Sequence, residues 1–296
     1  MFWGGGAVVY LVRVIYLFQM EYFFSVMPTS FVVTLAFIFG VIIGSFLNVY
    51  IYRFHTGKSL TGSSHCLSCG TPLRFFELFP LLSYLFLWGR CRTCRSYIPS
   101  RYFWVELLTG SLFVAAALTF TDSVLFFLTL ASVSVLVVIA VYDLYHMIIP
   151  DELTLALLVL VLGGQFYALI LGMTFTNFMW NVGAALLASL FFLLLWRFSE
   201  GKWIGFGDVK LVIPLALGVG YASVFSLVVL AFWIGAALGL IILAVQKLKS
   251  RGQPHLRFLP ARLTMKSAVP FAPFLILSYL AIIFFGIDVI SLLSYA

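Results

Sequence analysis

The chain has 296 residues, of which 64% are hydrophobic and only 9% charged. A soluble domain is excluded, because ordinary globular surfaces need about 25% charged residues to face water. The net charge of +7, carried by so apolar a chain, indicates loops at a membrane surface rather than nucleic-acid binding. At about 20 residues per crossing, the length accommodates about eight helices, so the fold class is an all-α polytopic membrane protein.

A charge in the hydrocarbon core costs about 2.5 kcal/mol or more, so stretches without Asp, Glu, Lys or Arg mark the crossings. Residues 1–30 come first; they lack a signal-peptide layout, hold Arg13 within an apolar run, and receive no function. Apolar segments then run at 31–52, 102–119 (with Glu106 near its start), 124–142, 153–172, 177–196, 211–222, 223–246 and 268–287. The sixth is short and holds Pro214, Gly218 and Gly220, which predicts a bent helix or one that begins before residue 211. Alternating the eight spans places 53–101, 143–152, 197–210 and 247–267 on one side, with 16 of the 17 Lys and Arg residues. The positive-inside rule makes that side cytoplasmic. The resulting organisation is a first transmembrane helix at 31–52, a cytoplasmic loop at 53–101 and a multi-helix membrane domain at 102–296.

All four cysteines lie in the long loop, as Cys66-Leu-Ser-Cys69 and Cys91-Arg-Thr-Cys94 with 21 residues between the pairs. Each C-x-x-C turn presents two thiolates, and two such knuckles close one tetrahedral zinc site. A disulfide is disfavoured on a reducing cytoplasmic side. Four protein ligands leave no open coordination position, so the metal reads as a structural staple for a small zinc-knuckle subdomain. Between the knuckles, the largely apolar stretch from Phe75 to Trp88 suits a subdomain resting on the membrane face. His55 and His65 read as bystanders.

Only ten acidic residues occur, so each can be weighed in turn. Asp143 closes the third span in Val141-Tyr142-Asp143-Leu144, and Asp208 opens the sixth in Gly205-Phe206-Gly207-Asp208. Two carboxylates from separate helices in a poorly solvated cleft can share a proton, one activating water while the other donates to the substrate. That is the chemistry of aspartyl proteolysis. Asp is also a favoured helix cap, and Asp151, after Pro150 at the start of the fourth span, reads more simply as one. At Asp208 the flanking Gly205 and Gly207 point beyond a cap, since glycines permit positive φ and leave room for a substrate backbone. Gly40 and Gly44 form a G-x-x-x-G expected to pack helices, and Asn48 reads as an interhelical hydrogen-bonding residue. Glu106 has two readings, a contact for a bound substrate or cofactor and a carboxylate that snorkels or starts its helix.

These residues together resemble the bacterial type IV prepilin leader peptidases, a branch of the G-x-G-D aspartyl proteases. The resemblance runs from Gly44-Ser45-Phe46-Leu47-Asn48-Val49 and Arg53 through the paired knuckles, Arg101-Tyr102 and Val105-Glu106-Leu107-Leu108-Thr109-Gly110. It continues through Asp143, Ile149-Pro150-Asp151, Gly205-Phe206-Gly207-Asp208-Val209-Lys210-Leu211 and Pro270-Phe271-Ala272-Pro273-Phe274. It implies a bifunctional, multi-pass enzyme of the bacterial inner membrane with its active site at the cytoplasmic face. Such an enzyme removes the leader of type IV prepilins or pseudopilins after a Gly, then methylates the new amino terminus with S-adenosylmethionine. By motif, Asp143 and Asp208 would be the catalytic aspartates and Cys66, Cys69, Cys91 and Cys94 the zinc ligands, with the 53–101 loop associated with methyl transfer. The partners implied are prepilins and membrane lipids, with no nucleic acid. One departure is Phe103-Trp104 where the family usually has Pro-Leu, which bears on methyl transfer more than on proteolysis. No glycine-rich strand-turn-helix element marks a donor pocket, so no residues are assigned to it. A polytopic transporter with a structural zinc site is the alternative from another class, disfavoured by span centres that hold almost no ionisable residue. A methyltransferase that has lost proteolysis is disfavoured by the intact aspartates.

Overall fold

The computed structural model describes residues 28–54, 62, 64–249 and 270–290; the N-terminal segment 1–27, His55 and the basic stretch 250–269 lie outside them. The described chain is all-helical, with two isolated antiparallel bridges in place of sheet. In chain order the helices are α1 (Thr29–Arg53), α2 (Leu82–Phe86), α3 (Arg101–Thr119), α4 (Ser123–His146), α5 (Asp151–Ile170), α6 (Phe175–Phe198), α7 (Phe206–Val219), α8 (Val224–Lys249) and α9 (Ala272–Phe285). Single 3-10 turns stand at Phe75–Glu77 and Tyr221–Ser223.

Every predicted span is a helix, but the count of eight crossings is not reproduced. Among the described residues six helices are long and apolar enough to cross a membrane: α1, α3, α4, α5, α6 and the stretch Tyr221–Ile242. Helices α7 and α9 have 14 residues each. At about 1.5 Å per residue each is about 21 Å long, short of a hydrocarbon core of about 30 Å. Composition could not reveal this, because a helix enclosed by protein is as apolar as one that faces lipid. As anticipated, α7 begins before residue 211 and carries Pro214 inside it.

The chain divides into two compact units, residues 1–138 and 139–296, with the boundary inside α4. In the first unit α1 lies along α3, and glycines set the distance. A β-carbon on Gly40 would stand 2.8 Å from the Gly110 Cα, and one on Gly44 would stand 2.8 Å from the Glu106 Cα. The G-x-x-x-G is therefore a packing seam, as expected. Asn48 joins it by donating from Nδ2 to the Tyr102 carbonyl at 3.0 Å.

In the second unit α7 is the inner helix. Leu211, Val212 and Ala216 are fully enclosed among α5, α6 and α9. Enclosure in protein is what lets so short a helix sit at membrane depth. Its C-terminal end is tied by two amide side chains: Gln165 donates to the Leu217 carbonyl at 2.7 Å, Asn181 donates to Gln165 at 3.1 Å, and the Tyr221 N–H donates to Asn181 at 2.9 Å. In a continuous α-helix the Tyr221 N–H would meet the Leu217 carbonyl directly. The two side chains carry that bond across the break made by Gly220 at φ 78°.

Candidate active site and metal centre

Asp143 sits in the last turn of α4, and Asp208 is the third residue of α7. Both are buried, each only 5% exposed, and they are close enough to interact electrostatically. Each is held by a backbone donor at a helix start. The Ala272 N–H at the beginning of α9 bonds Asp143, and the Gly205 N–H, just before α7, donates to Asp208 Oδ2 at 3.1 Å. The remaining oxygens, Asp143 Oδ2 and Asp208 Oδ1, are buried with no hydrogen-bond partner among the described residues. Buried carboxylate oxygens are nearly always satisfied, so two orphans on neighbouring aspartates mark a place built to meet something else.

Local sequence explains how the pair is presented. Gly205 precedes α7 at φ −74° and neither it nor Gly207 has positive φ, which corrects the expectation of an unusual backbone there. Gly207 is small for a packing reason, since a β-carbon there would stand 2.9 Å from Ile149 Cβ. A β-carbon on Gly205 would meet Asp208 Oδ2 at 3.4 Å and the Gly207 N at 4.0 Å, both ordinary contacts, so space does remain on that side. Asp208 also makes half of a cap, as the bland reading allowed, but with one oxygen only. Asp151 does not cap α5: Pro150 holds that position without a side-chain bond, and Asp151 pairs with Lys210 Nζ at 2.7 and 2.9 Å. The pair ties the start of α5 to the start of α7, and Ser189 adds a bond to the Val209 carbonyl at 3.0 Å. Phe271 packs against Phe192 and Phe232, with centroids 5.9 and 5.1 Å away, and so fixes the start of α9 that bonds Asp143.

Glu106 neither snorkels nor starts its helix, lying in the second turn of α3. Only 8% exposed, it accepts the Leu81 N–H at 2.7 Å and bonds the Ser45 hydroxyl. It thereby fastens the loop to α1 and α3. Leu81 stands at φ 58°, an uncommon conformation for a bulky residue, which places its N–H toward that carboxylate.

The four thiols converge as the spacing requires. Their sulfurs all lie within 4.8 Å of one another, none is in a disulfide, and Cys66 Sγ and Cys94 Sγ are 3.8 Å apart. Four thiolates about 2.3 Å from one ion have sulfurs about 3.8 Å apart, so this donor set fits a tetrahedral thiophilic metal. The two knuckles repeat one design. In each, the first cysteine's N–H bonds a carbonyl five residues on, at Thr71 or Ser96, and its own carbonyl accepts from Gly70 or Arg95, all at 2.9 Å. Gly70 and Arg95 occupy the same left-handed position, at φ 70° and 59°. The backbone N–H groups of Cys69 and Ser68 hold the Cys66 thiol down to about 6, favouring the thiolate that a metal needs. His65 stands outside the thiol cluster and pairs through its backbone with Pro72.

Sequence reasoning missed Ala272, Ile149, Ser189 and Phe271 as parts of the aspartate site. The signal for Ile149, Phe271 and Ala272 lay in the Ile-Pro-Asp and Pro-Phe-Ala-Pro-Phe motifs, noted but given no role; Ser189 lies in neither.

A helical protein with apolar spans, an enclosed carboxyl pair and a four-thiol cluster defines a membrane enzyme of the leader-peptidase type, and comparison with known proteins agrees. The model for the type IV leader peptidase family matches residues 130–240, and the bacterial peptidase A24 N-terminal domain matches residues 38–120. A prepilin leader peptidase/N-methyltransferase of Burkholderia pseudomallei is 31% identical over 295 residues, covering 89% of this chain and 88% of the relative. Proteins of the same description from Aeromonas hydrophila and Bacillus subtilis are 32% and 29% identical, covering 70% and 87% of this chain and 80% and 96% of theirs. No solved structure matches the chain. The chain belongs to the type IV leader peptidase family.

Proposed function

We propose that the chain is an aspartyl endopeptidase that removes the leader of type IV prepilins or pseudopilins after a Gly, at the cytoplasmic face of the bacterial inner membrane, and then N-methylates the new amino terminus. The observation that carries the reading is the pair of buried, unpartnered oxygens, Asp143 Oδ2 and Asp208 Oδ1, on two electrostatically coupled carboxylates. Two such groups side by side hold one proton between them and titrate as a unit. The ionised partner takes a proton from water as that water attacks the scissile carbonyl. The protonated partner donates to the carbonyl oxygen, giving a tetrahedral intermediate. Its collapse, with a proton passed to the leaving amine, frees the leader and the new amino terminus. A prepilin carries its apolar helix just after the cut, which would place the scissile bond at the interface where α4 ends and α7 begins.

The four cysteines would hold zinc as a staple for the 53–101 subdomain, with 102–296 as the peptidase domain and lipids as the surrounding partner. With four protein ligands the metal supplies structure and no open position for chemistry. S-adenosylmethionine is the donor expected for the second activity. Among the described residues no strand-turn-helix cradle exists for it, so no residue is assigned and no step derived through it. Mass spectrometry of a prepilin incubated with the purified enzyme, with and without S-adenosylmethionine, tests both activities. Cleavage after Gly in both samples and a 14-dalton gain only with the donor are expected; an intact prepilin in both would reject the peptidase reading.

A further inference from the structure

Helix α2 and the turn before it are too short to cross a membrane, yet they are among the most apolar exposed surfaces of the first unit. Of the 14 residues from Phe75 to Trp88, eight are large apolar side chains exposed to the surroundings, with Phe75, Phe86 and Trp88 at 78%, 79% and 86%. A patch of that kind on a water-facing loop is not tolerated without a cover.

Two further features say what the cover is. The segment is fastened at membrane depth or just beyond it, because Leu81 bonds Glu106 in the second turn of α3, and Phe103 of α3 packs on Tyr84 at 5.5 Å. The arginines of the knuckles also share the aromatic surface: Arg92 stands over the Phe76 ring at 5.2 Å and Arg90 over Tyr97 at 5.1 Å. The single acid in this stretch, Glu77, is engaged by the Arg74 N–H at 2.7 Å. Aromatic side chains beside exposed guanidinium groups match the bilayer interface, where rings enter the headgroup region and cations meet lipid phosphates.

We propose that the Phe75–Trp88 face of the cysteine subdomain is a monotopic membrane-insertion surface that takes anionic phospholipid. Phe75, Phe86 and Trp88 enter the interface, while Arg90, Arg92 and Arg95 bind headgroup phosphates. The subdomain would then lie on the bilayer beside α1 and α3 instead of standing off in solvent.

The test uses the full chain, labelled with 5-fluorotryptophan and reconstituted in nanodiscs of phosphatidylcholine with or without phosphatidylglycerol. The Trp88 fluorine resonance is identified by its loss in W88F. A lipid spin-labelled near the headgroup should broaden it, a water-soluble gadolinium chelate should not, and the lipid effect should grow with phosphatidylglycerol. R90Q/R92Q/R95Q should remove that growth, with retained metal content as the check on folding, and F75S/F86S should expose Trp88 to the chelate. Broadening by the chelate alone in the unmodified chain would overturn the proposal. So would protection from both agents, which would mean that protein, such as a second copy, covers the face. Because no readout involves cleavage, the result is independent of the peptidase reading.

Discussion

Asp143 and Asp208 each leave one oxygen unsatisfied in a buried setting, a condition that normally destabilises a fold by about 1–3 kcal/mol per group. A variant that cannot ionise but can still accept the Gly205 or Ala272 N–H separates chemistry from folding. Asp143→Asn and Asp208→Asn should each lower prepilin cleavage by about 10³-fold or more, the upper range for losing an acid or base. Thermal unfolding of both should stay unchanged or rise, because the site no longer has to hold a buried negative charge. Full cleavage in both would remove the aspartates from the mechanism. Glu106 calls for the opposite comparison. Glu106→Ala strips the acceptor from the Leu81 N–H and should destabilise the loop by about 1–3 kcal/mol, read as faster amide exchange around Leu81, whereas Glu106→Gln keeps an acceptor and should lose much less.

Helix α7 is placed by contacts at both ends, and its start tolerates no added volume. Gly207→Ala should sharply reduce cleavage, since the new β-carbon would stand 2.9 Å from Ile149 Cβ and push Asp208 out of place. The same contact predicts partial recovery in Gly207→Ala/Ile149→Gly, which a general folding defect would not give. In the knuckles the left-handed position decides the outcome. Around Gly70 there is open space, so Gly70→Ala tests conformation alone. It should weaken metal binding by about fivefold, the equivalent of about 1 kcal/mol of left-handed strain, measured by competition with a chelator.

For the molecule as a whole, the proposed function has the four thiols hold their subdomain and the carboxyl pair cut the peptide. Removing the metal from the intact enzyme should raise amide exchange across residues 64–98 while single-turnover cleavage persists. Prompt loss of cleavage with that segment still protected would mean the cysteines serve the chemistry.

The chain announced its membrane character, its helix positions, the four-thiol cluster and the two carboxylates worth testing, because scarce charges and paired cysteines are local facts. Gly40, Gly44 and Asn48 were legible for the same reason: small and amide residues in an apolar helix have few uses. Which helices reach across a bilayer was not legible, since α7 is as apolar as its neighbours and only its enclosure explains its length. Nor were the partners of the site. That Ala272 holds Asp143, that Ile149 is why Gly207 is small, and that Asp151 serves Lys210 instead of capping a helix all depend on residues far apart in the chain. Sequence order carries composition and periodicity; the distance between Asp143 and Asp208, 65 positions apart, is set only when four helices pack around α7.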